Sequence, residues 1–102
     1  MADLNKMFNP ESVAVVGASN SEGKVGYIIL NNIVNDGFKG NIYPVNPKDD
    51  IVQGLKAYKN VSDIPEVPDL VIISIPSVGV NGIVKECGEY GVKNIVVIRQ
   101  FQ

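Results

Sequence analysis

The sequence contains no histidine, and that absence removes a whole group of mechanisms. Ser-His-Asp and Cys-His activation of a nucleophile, imidazole general acid–base catalysis and a phosphohistidine intermediate all need the missing ring. Cysteine is nearly absent as well. The single thiol, Cys87, has no partner for an intrachain disulfide, and no Cys/His group has metal-ligand spacing, so neither a disulfide scaffold nor a metal in this domain is expected. Nine Lys and Arg against eleven Asp and Glu leave a net charge of −2, the opposite of the clustered basic surface that nucleic-acid backbones demand. No apolar run approaches the roughly 18 to 20 residues of a transmembrane helix, and the opening MADLNKMF lacks the basic-then-apolar layout of a signal peptide. The expectation is therefore a cytoplasmic protein with neither a membrane nor a nucleic-acid partner.

What is present is one domain's worth of ordinary globular chain: 102 residues, 45% apolar and 20% charged, enough to bury a core but too short for two domains with a cleft between them. The whole of 1–102 is expected to form that domain. Ser12-Val-Ala-Val-Val16, Leu70-Val-Ile-Ile-Ser-Ile75 and Asn94-Ile-Val-Val-Ile98 are apolar, β-branched runs of the kind buried on both faces in a parallel sheet. Between them, Lys24 to Asp36 carries Val25, Ile28, Ile29, Ile33 and Val34 at helical spacing, with Gly37 placed to stop the helix. Ser77 to Tyr90 repeats the arrangement, with Ser77 as the expected N-cap and Gly91 as the stop. Gly40 to Val45 is a shorter strand whose Pro44 predicts weak or early-ending pairing. Leu55 to Tyr58 is a candidate edge strand, preceded by a turn over Asp49 to Gly54. This order predicts an α/β fold: a Rossmann-like, doubly wound parallel sheet in a three-layer α/β/α arrangement.

In such a sheet, ligands sit beyond the carboxyl ends of the strands, and a glycine-bounded loop entering a helix offers N–H groups and a positive dipole end to phosphate. Gly17-Ala-Ser-Asn-Ser-Glu-Gly23 follows the first strand in that way. It is not a dinucleotide fingerprint, because Ser19 and Glu22 occupy the second and third glycine positions, nor a P-loop, because Val25 stands where a hydroxyl is needed. A plain connecting loop is the structural alternative. The second strand ends in Asn46-Pro-Lys48, where an NAD domain would carry an acid for the ribose. Lys48 therefore suggests a further phosphate on the ligand, the alternative being a solvated lysine. At the end of the third strand, Ile75, Pro76 and Val78 offer apolar surface to a flat base, or simply terminate a strand ahead of a helix. Cys87 lies on the apolar face of its helix and is expected to be a buried small hydrophobe rather than a reactive thiol.

Taken together, Phe8-Asn-Pro-Glu-Ser-Val-Ala-Val-Val-Gly-Ala-Ser19, Gly23-Lys-Val-Gly26, Gly40-Asn-Ile-Tyr-Pro-Val-Asn-Pro-Lys48, Asp63-Ile-Pro65 and Asp69-Leu-Val-Ile-Ile-Ser-Ile-Pro76 resemble the N-terminal CoA-binding domain of the ADP-forming acetyl-CoA synthetase family, related to the succinyl-CoA ligase α subunit. The resemblance implies that coenzyme A, a nucleotide-like ligand, is bound by the loop residues Gly17, Ser19, Asn20, Ser21, Glu22 and Gly23, by Lys48, and by Pro76 near the adenine, with Gly17 and Gly23 shaping the loop. It further implies partner domains or subunits, one bearing the histidine that carries phosphate and one an ATP-grasp domain, and a parent ligase interconverting acyl-CoA, ADP and phosphate with acid, CoA and ATP. This chain is then expected to be a non-catalytic piece of that ligase. The family's small-residue turn after the last strand, resembling Ser-Ala-Gly-Phe, is replaced by Arg99-Gln-Phe-Gln102. An NAD(P)-binding oxidoreductase domain and a non-catalytic regulatory or interaction domain remain the alternatives.

Overall fold

The structure is a computed structural model that describes residues 4–99. In chain order the elements are α1 (Leu4–Phe8), β1 (Ser12–Val16), α2 (Val25–Asn35), β2 (Asn41–Val45), β3 (Ile51–Val52), β4 (Leu55–Lys56), β5 (Leu70–Ile73), α3 (Val80–Tyr90) and β6 (Ile95–Val97), with 3-10 turns at Val61–Asp63 and Ser77–Gly79. Four strands form one parallel sheet in the order β2-β1-β5-β6. This is the expected α/β, Rossmann-like, doubly wound fold.

All five residues of β1 are buried, which the run of valines anticipates, because a central strand is covered on both faces. Its side chains divide by parity. Val13 and Val15 pack with Ala18, Leu30 and Val52 on the α2 side, whereas Ala14 and Val16 pack with Ile64, Ile73, Cys87 and Val92 on the α3 side. Each fully buried Val, Leu or Ile on these faces contributes about 1.5–3 kcal/mol of transfer free energy. A one-residue slip of β1 would exchange the two faces, so its register with β2 and β5, Val13 opposite Ile42 and Leu70, is tightly specified.

Several boundaries differ from expectation for local reasons. The helix α2 begins one residue late, with Lys24 at the cap, and ends one early, at Asn35, where Gly37 at φ +83° turns the chain so that Phe38 N–H closes on Ile33 O at 3.4 Å. The strand β5 ends at Ile73, where its registers with β1 (Val16) and β6 (Val97) both end, and Pro76 caps the 3-10 turn that follows. Ser77 is not an N-cap: it lies inside the 3-10 turn that Gly79 N–H closes on Pro76 O at 3.0 Å, and α3 starts at Val80. Gly91, at φ +102°, ends α3 as expected.

Pro44 does not interrupt pairing, since β2 pairs with β1 from Asn41 through Val45. The reason is geometric. Pro44 O accepts Tyr58 N–H at 2.9 Å on the outer side, so the proline nitrogen also faces outward and its missing N–H removes no bond to β1. The expected edge strand at 55–58 is instead a short antiparallel hairpin of β3 and β4, turning at Gln53 and Gly54 with both φ values positive (50° and 80°), the signature of a type I′ turn. Only Tyr58 beyond it bridges to the main sheet, at Val45. Among the described residues, no helix is long and apolar enough to cross a membrane.

Candidate functional site

The connection from β1 runs to β2 on one side, and the next main-sheet strand, β5, lies on the other. This leaves the topological switch point between the carboxyl ends of β1 and β5, the place where open α/β sheets bind ligands. The loop 17–24 occupies it. Gly17, at φ +91°, donates its N–H to Val45 O at 3.2 Å, and a Cβ there would stand 2.1 Å from Ser74 O. A Cβ on Gly26, in the first turn of α2, would stand 1.8 Å from Gly17 O. The loop, the helix start and the end of β5 thus meet backbone to backbone, which only glycine permits. Gly23, by contrast, has ordinary φ and open space around it, so the expectation that it shapes the loop gives way to Gly26, whose small size in the Gly23-Lys-Val-Gly26 run was the available signal.

The start of α2 has no side-chain cap, and Tyr27 and Ile28 both donate to Lys24 O (3.1 and 3.2 Å). Lys24 N–H donates to Ser21 O at 3.0 Å, and the N–H groups of Val25 and Gly26 lie at the positive end of the helix. Inside the loop, Ser19 Oγ accepts Ser21 N–H at 2.9 Å. The Asn20 side chain is fully engaged: its amide donates to Asp49 Oδ2 (3.1 Å) and Ile51 O (2.9 Å), and its oxygen accepts Gln53 N–H (2.8 Å). Gln53 Nε2 donates to Ser19 O and Tyr27 O, each at 3.2 Å. From the end of β2, Asn46 donates to Ala18 O at 3.0 Å while its Oδ1 accepts Lys48 N–H (2.7 Å) and Asp49 N–H (2.8 Å). Asn46 and Gln53 escaped prediction as contributors. Asn46 stood beside the lysine that drew attention, and the contact of Gln53 depends on a hairpin that periodicity does not reveal.

Of the residues picked from sequence, Gly17 to Gly23 and Lys48 come together at one edge of the sheet, linked through the Asn20–Asp49 hydrogen bond. Pro76 follows Ile75, just past the end of β5, and the Ile75 side chain reaches within 3.0 Å of a Cβ built on Gly17. Lys48 is exposed, with no ion pair among the described residues, whereas Lys59 is engaged by Asp50 (3.6 Å) and Pro47 O (3.4 Å). An adjoining hollow of about 470 Å³ at the ends of β5 and β6 is lined by Ile75, Ser77, Val80, Asn81, Val97 and Arg99. Beyond Arg99, the changed tail lies outside the described residues.

Two groups elsewhere have displaced protonation. Burial, and then the charge of Glu86, push the Cys87 thiol up to about 11, which keeps it protonated and unreactive near neutrality. Burial and the hydrogen bond to Glu66 push Tyr43 up to about 12. Neither belongs to the loop edge. Among the described residues, no group of three or more Cys, Asp or Glu could hold a metal ion.

Comparison with known proteins shows which family the domain belongs to. Residues 11–100 match the family model described as a CoA binding domain. The chain belongs to that family. It is 46% identical over 96 residues to an ADP-forming acetate–CoA ligase of Methanocaldococcus jannaschii, covering 94% of this chain and 13% of that protein. With the α subunit of ADP-forming acetate–CoA ligase II of Pyrococcus furiosus, identity is 46% over 95 residues, covering 93% and 21%. Among solved structures, the dinucleotide-forming acetyl-coenzyme A synthetase 1 of Ca. Korarchaeum cryptofilum, in complex with phosphate and ADP, superposes with a TM-score of 0.94 at 48% identity over all of this chain and 22% of that one. This CoA binding domain therefore spans a small part, 13 to 22%, of these relatives.

Proposed function

We propose that residues 1–102 act as the CoA-binding module of a larger ADP-forming acid–CoA ligase, the parent reaction interconverting acyl-CoA, ADP and phosphate with carboxylic acid, CoA and ATP. The observation that carries this reading is the backbone-to-backbone packing of Gly17, Gly26 and Ser74 at the switch point, joined to a lysine where an NAD domain would place an acid. Loop residues 17–23 and the first N–H groups of α2 receive the phosphates. Lys48 supplies a mobile cation for a phosphate beyond the pyrophosphate, and Pro76 borders the adenine. CoA carries three phosphate groups where NAD has two, so the extra cation favours CoA.

The module holds CoA and presents its thiol; the acyl phosphate and the nucleotide are handled by the partner domains or subunits, one with the phosphate-carrying histidine and one of ATP-grasp type. With no imidazole in the chain, a phosphohistidine relay has no carrier here. Titration calorimetry on the chain tests the reading. CoA is expected to bind, and to bind more tightly than NAD or ADP. A folded sample that binds NAD more tightly than CoA, or binds none of them, would refute it.

A further inference from the structure

Two side-chain amides hold consecutive peptide groups of the binding loop from behind. Asn46 donates to Ala18 O at 3.0 Å and Gln53 donates to Ser19 O at 3.2 Å. In a trans peptide the carbonyl and the N–H of the same plane point in opposite directions. Fixing the carbonyls of Ala18 and Ser19 toward the 46–53 segment therefore aims the N–H groups of Ser19 and Asn20 away from it. The Gln53 amide makes two such bonds, from Nε2 to Ser19 O and Tyr27 O, and its backbone N–H adds a third contact, to Asn20 Oδ1, so one residue joins the loop to the first turns of α2.

Gln53 does this from a costly backbone position. It is the only non-glycine residue at positive φ (+50°) among the described residues, a conformation that L-residues other than Asn and Asp seldom adopt. Glycine would satisfy the type I′ turn at no cost, so the turn itself gives no reason for a glutamine. The hairpin that carries it is anchored from below by Val52, fully buried against Leu30, Val13 and Val15, which gives the amide a rigid base.

We infer that Gln53 is a positioning residue: from the β3–β4 hairpin it sets the direction of the Ser19 and Asn20 N–H groups for a phosphate of the ligand, with Asn46 holding the neighbouring peptide. The inference rests on the CoA reading above and assigns the hairpin a part in it.

The test compares Gln53→Gly and Gln53→Ala with the parent chain by calorimetric titration of CoA, thermal unfolding and backbone ¹⁵N order parameters. Both variants lose the amide, while only Ala keeps a Cβ at positive φ. Both are expected to bind CoA about tenfold or more weakly, although Gln53→Gly unfolds at or above the parent temperature and Gln53→Ala below it. Order parameters at Ser19 to Gly23 should fall from the rigid range near 0.85 toward 0.6 in both. Unchanged CoA affinity in Gln53→Gly, or affinity that simply tracks the unfolding temperature across the three proteins, would overturn the inference. A folded parent chain that fails to bind CoA would instead refute the CoA reading, and unchanged order parameters in the variants would then still refute the orienting role.

Discussion

Replacing Gly26 by alanine is the sharpest single test of the packing at the switch point. A Cβ there would lie 1.8 Å from Gly17 O, short of the 3.0 Å floor for real Cβ contacts by 1.2 Å, and the obstructing atom is backbone rather than a flexible side-chain end. Either α2 must withdraw from the sheet or the loop must leave its place between Val45 and Ser74. Forced overpacking of this kind costs about 1–3 kcal/mol, and the size of the shortfall puts Gly26→Ala at the upper end. The better helix propensity of alanine returns about 1 kcal/mol, for a net loss of about 2 kcal/mol. In a domain of this length that lowers Tm by about 8–16 °C. Because the displaced element is the loop itself, CoA affinity should fall further than stability does, by tenfold or more. Gly23→Ala is the internal control for stability: with open space and ordinary φ, it should leave stability unchanged or raise it through the unfolded state, by about 0.4–1 kcal/mol. Calorimetric unfolding and CoA titration of both variants decide the matter. A Gly26→Ala protein as stable and as tight-binding as the parent would refute the close approach.

Lys48→Ala should weaken CoA binding by about tenfold, or 1.4 kcal/mol, with a smaller difference at 1 M salt than at 0.01 M because the lysine is exposed and its field is screened; salt-dependent titration checks this. Cys87 should resist alkylation at pH 8 in the folded protein and react once denatured, since burial holds the thiol at about 11 against an ordinary 9.0. The sign for stability follows. A thiol raised from 9.0 to about 11 on folding favours the native state fully below pH 9 and loses that contribution as pH climbs through 11, with Tyr43, raised from 10.0 to about 12, adding an overlapping loss between pH 10 and 12. Urea midpoints should therefore hold from pH 8 to about 9 and fall from there to 12, and a profile flat throughout would contradict the assignment. Gly82→Ala, inside α3 with nothing within 4 Å of the added carbon, should stabilise the domain by about 0.5–1 kcal/mol, read from the urea midpoint.

The main sheet was legible because its signal is local and strong. A run such as Ser12–Val16 admits few environments other than a strand covered on both faces, and the stops at Gly37 and Gly91 depend on one residue each. The helix starts were less legible. Ser77 has the right chemistry for a cap, but the 3-10 turn after Pro76 moved the start of α3 to Val80, and a short-range turn closed by a single backbone bond leaves little trace in composition. Pro44 misled in an instructive way: a proline weakens a strand only on the side its nitrogen faces, and that side is set by tertiary neighbours. The loop and Lys48 stood out as candidates because phosphate-binding geometry follows strand ends. Gln53 and Asn46 were passed over because their importance lies in which carbonyls they reach across about 30 residues of chain, something a single sequence does not display. Gly26 showed only as part of the Gly23-Lys-Val-Gly26 run, because it sits nine residues after Gly17 rather than the five that separate the outer glycines of a dinucleotide fingerprint.

CoA is expected to lie over the loop edge of the sheet, which amide chemical-shift mapping would reveal residue by residue. Adding CoA to the ¹⁵N-labelled chain should move the resonances of residues 17–26, 46–48 and 74–77 most, saturating with one equivalent of ligand, while the amides of α1 and of Val92 to Asn94 at the opposite edge stay in place. Shifts concentrated at that opposite edge, or none in a sample that is otherwise folded, would contradict it.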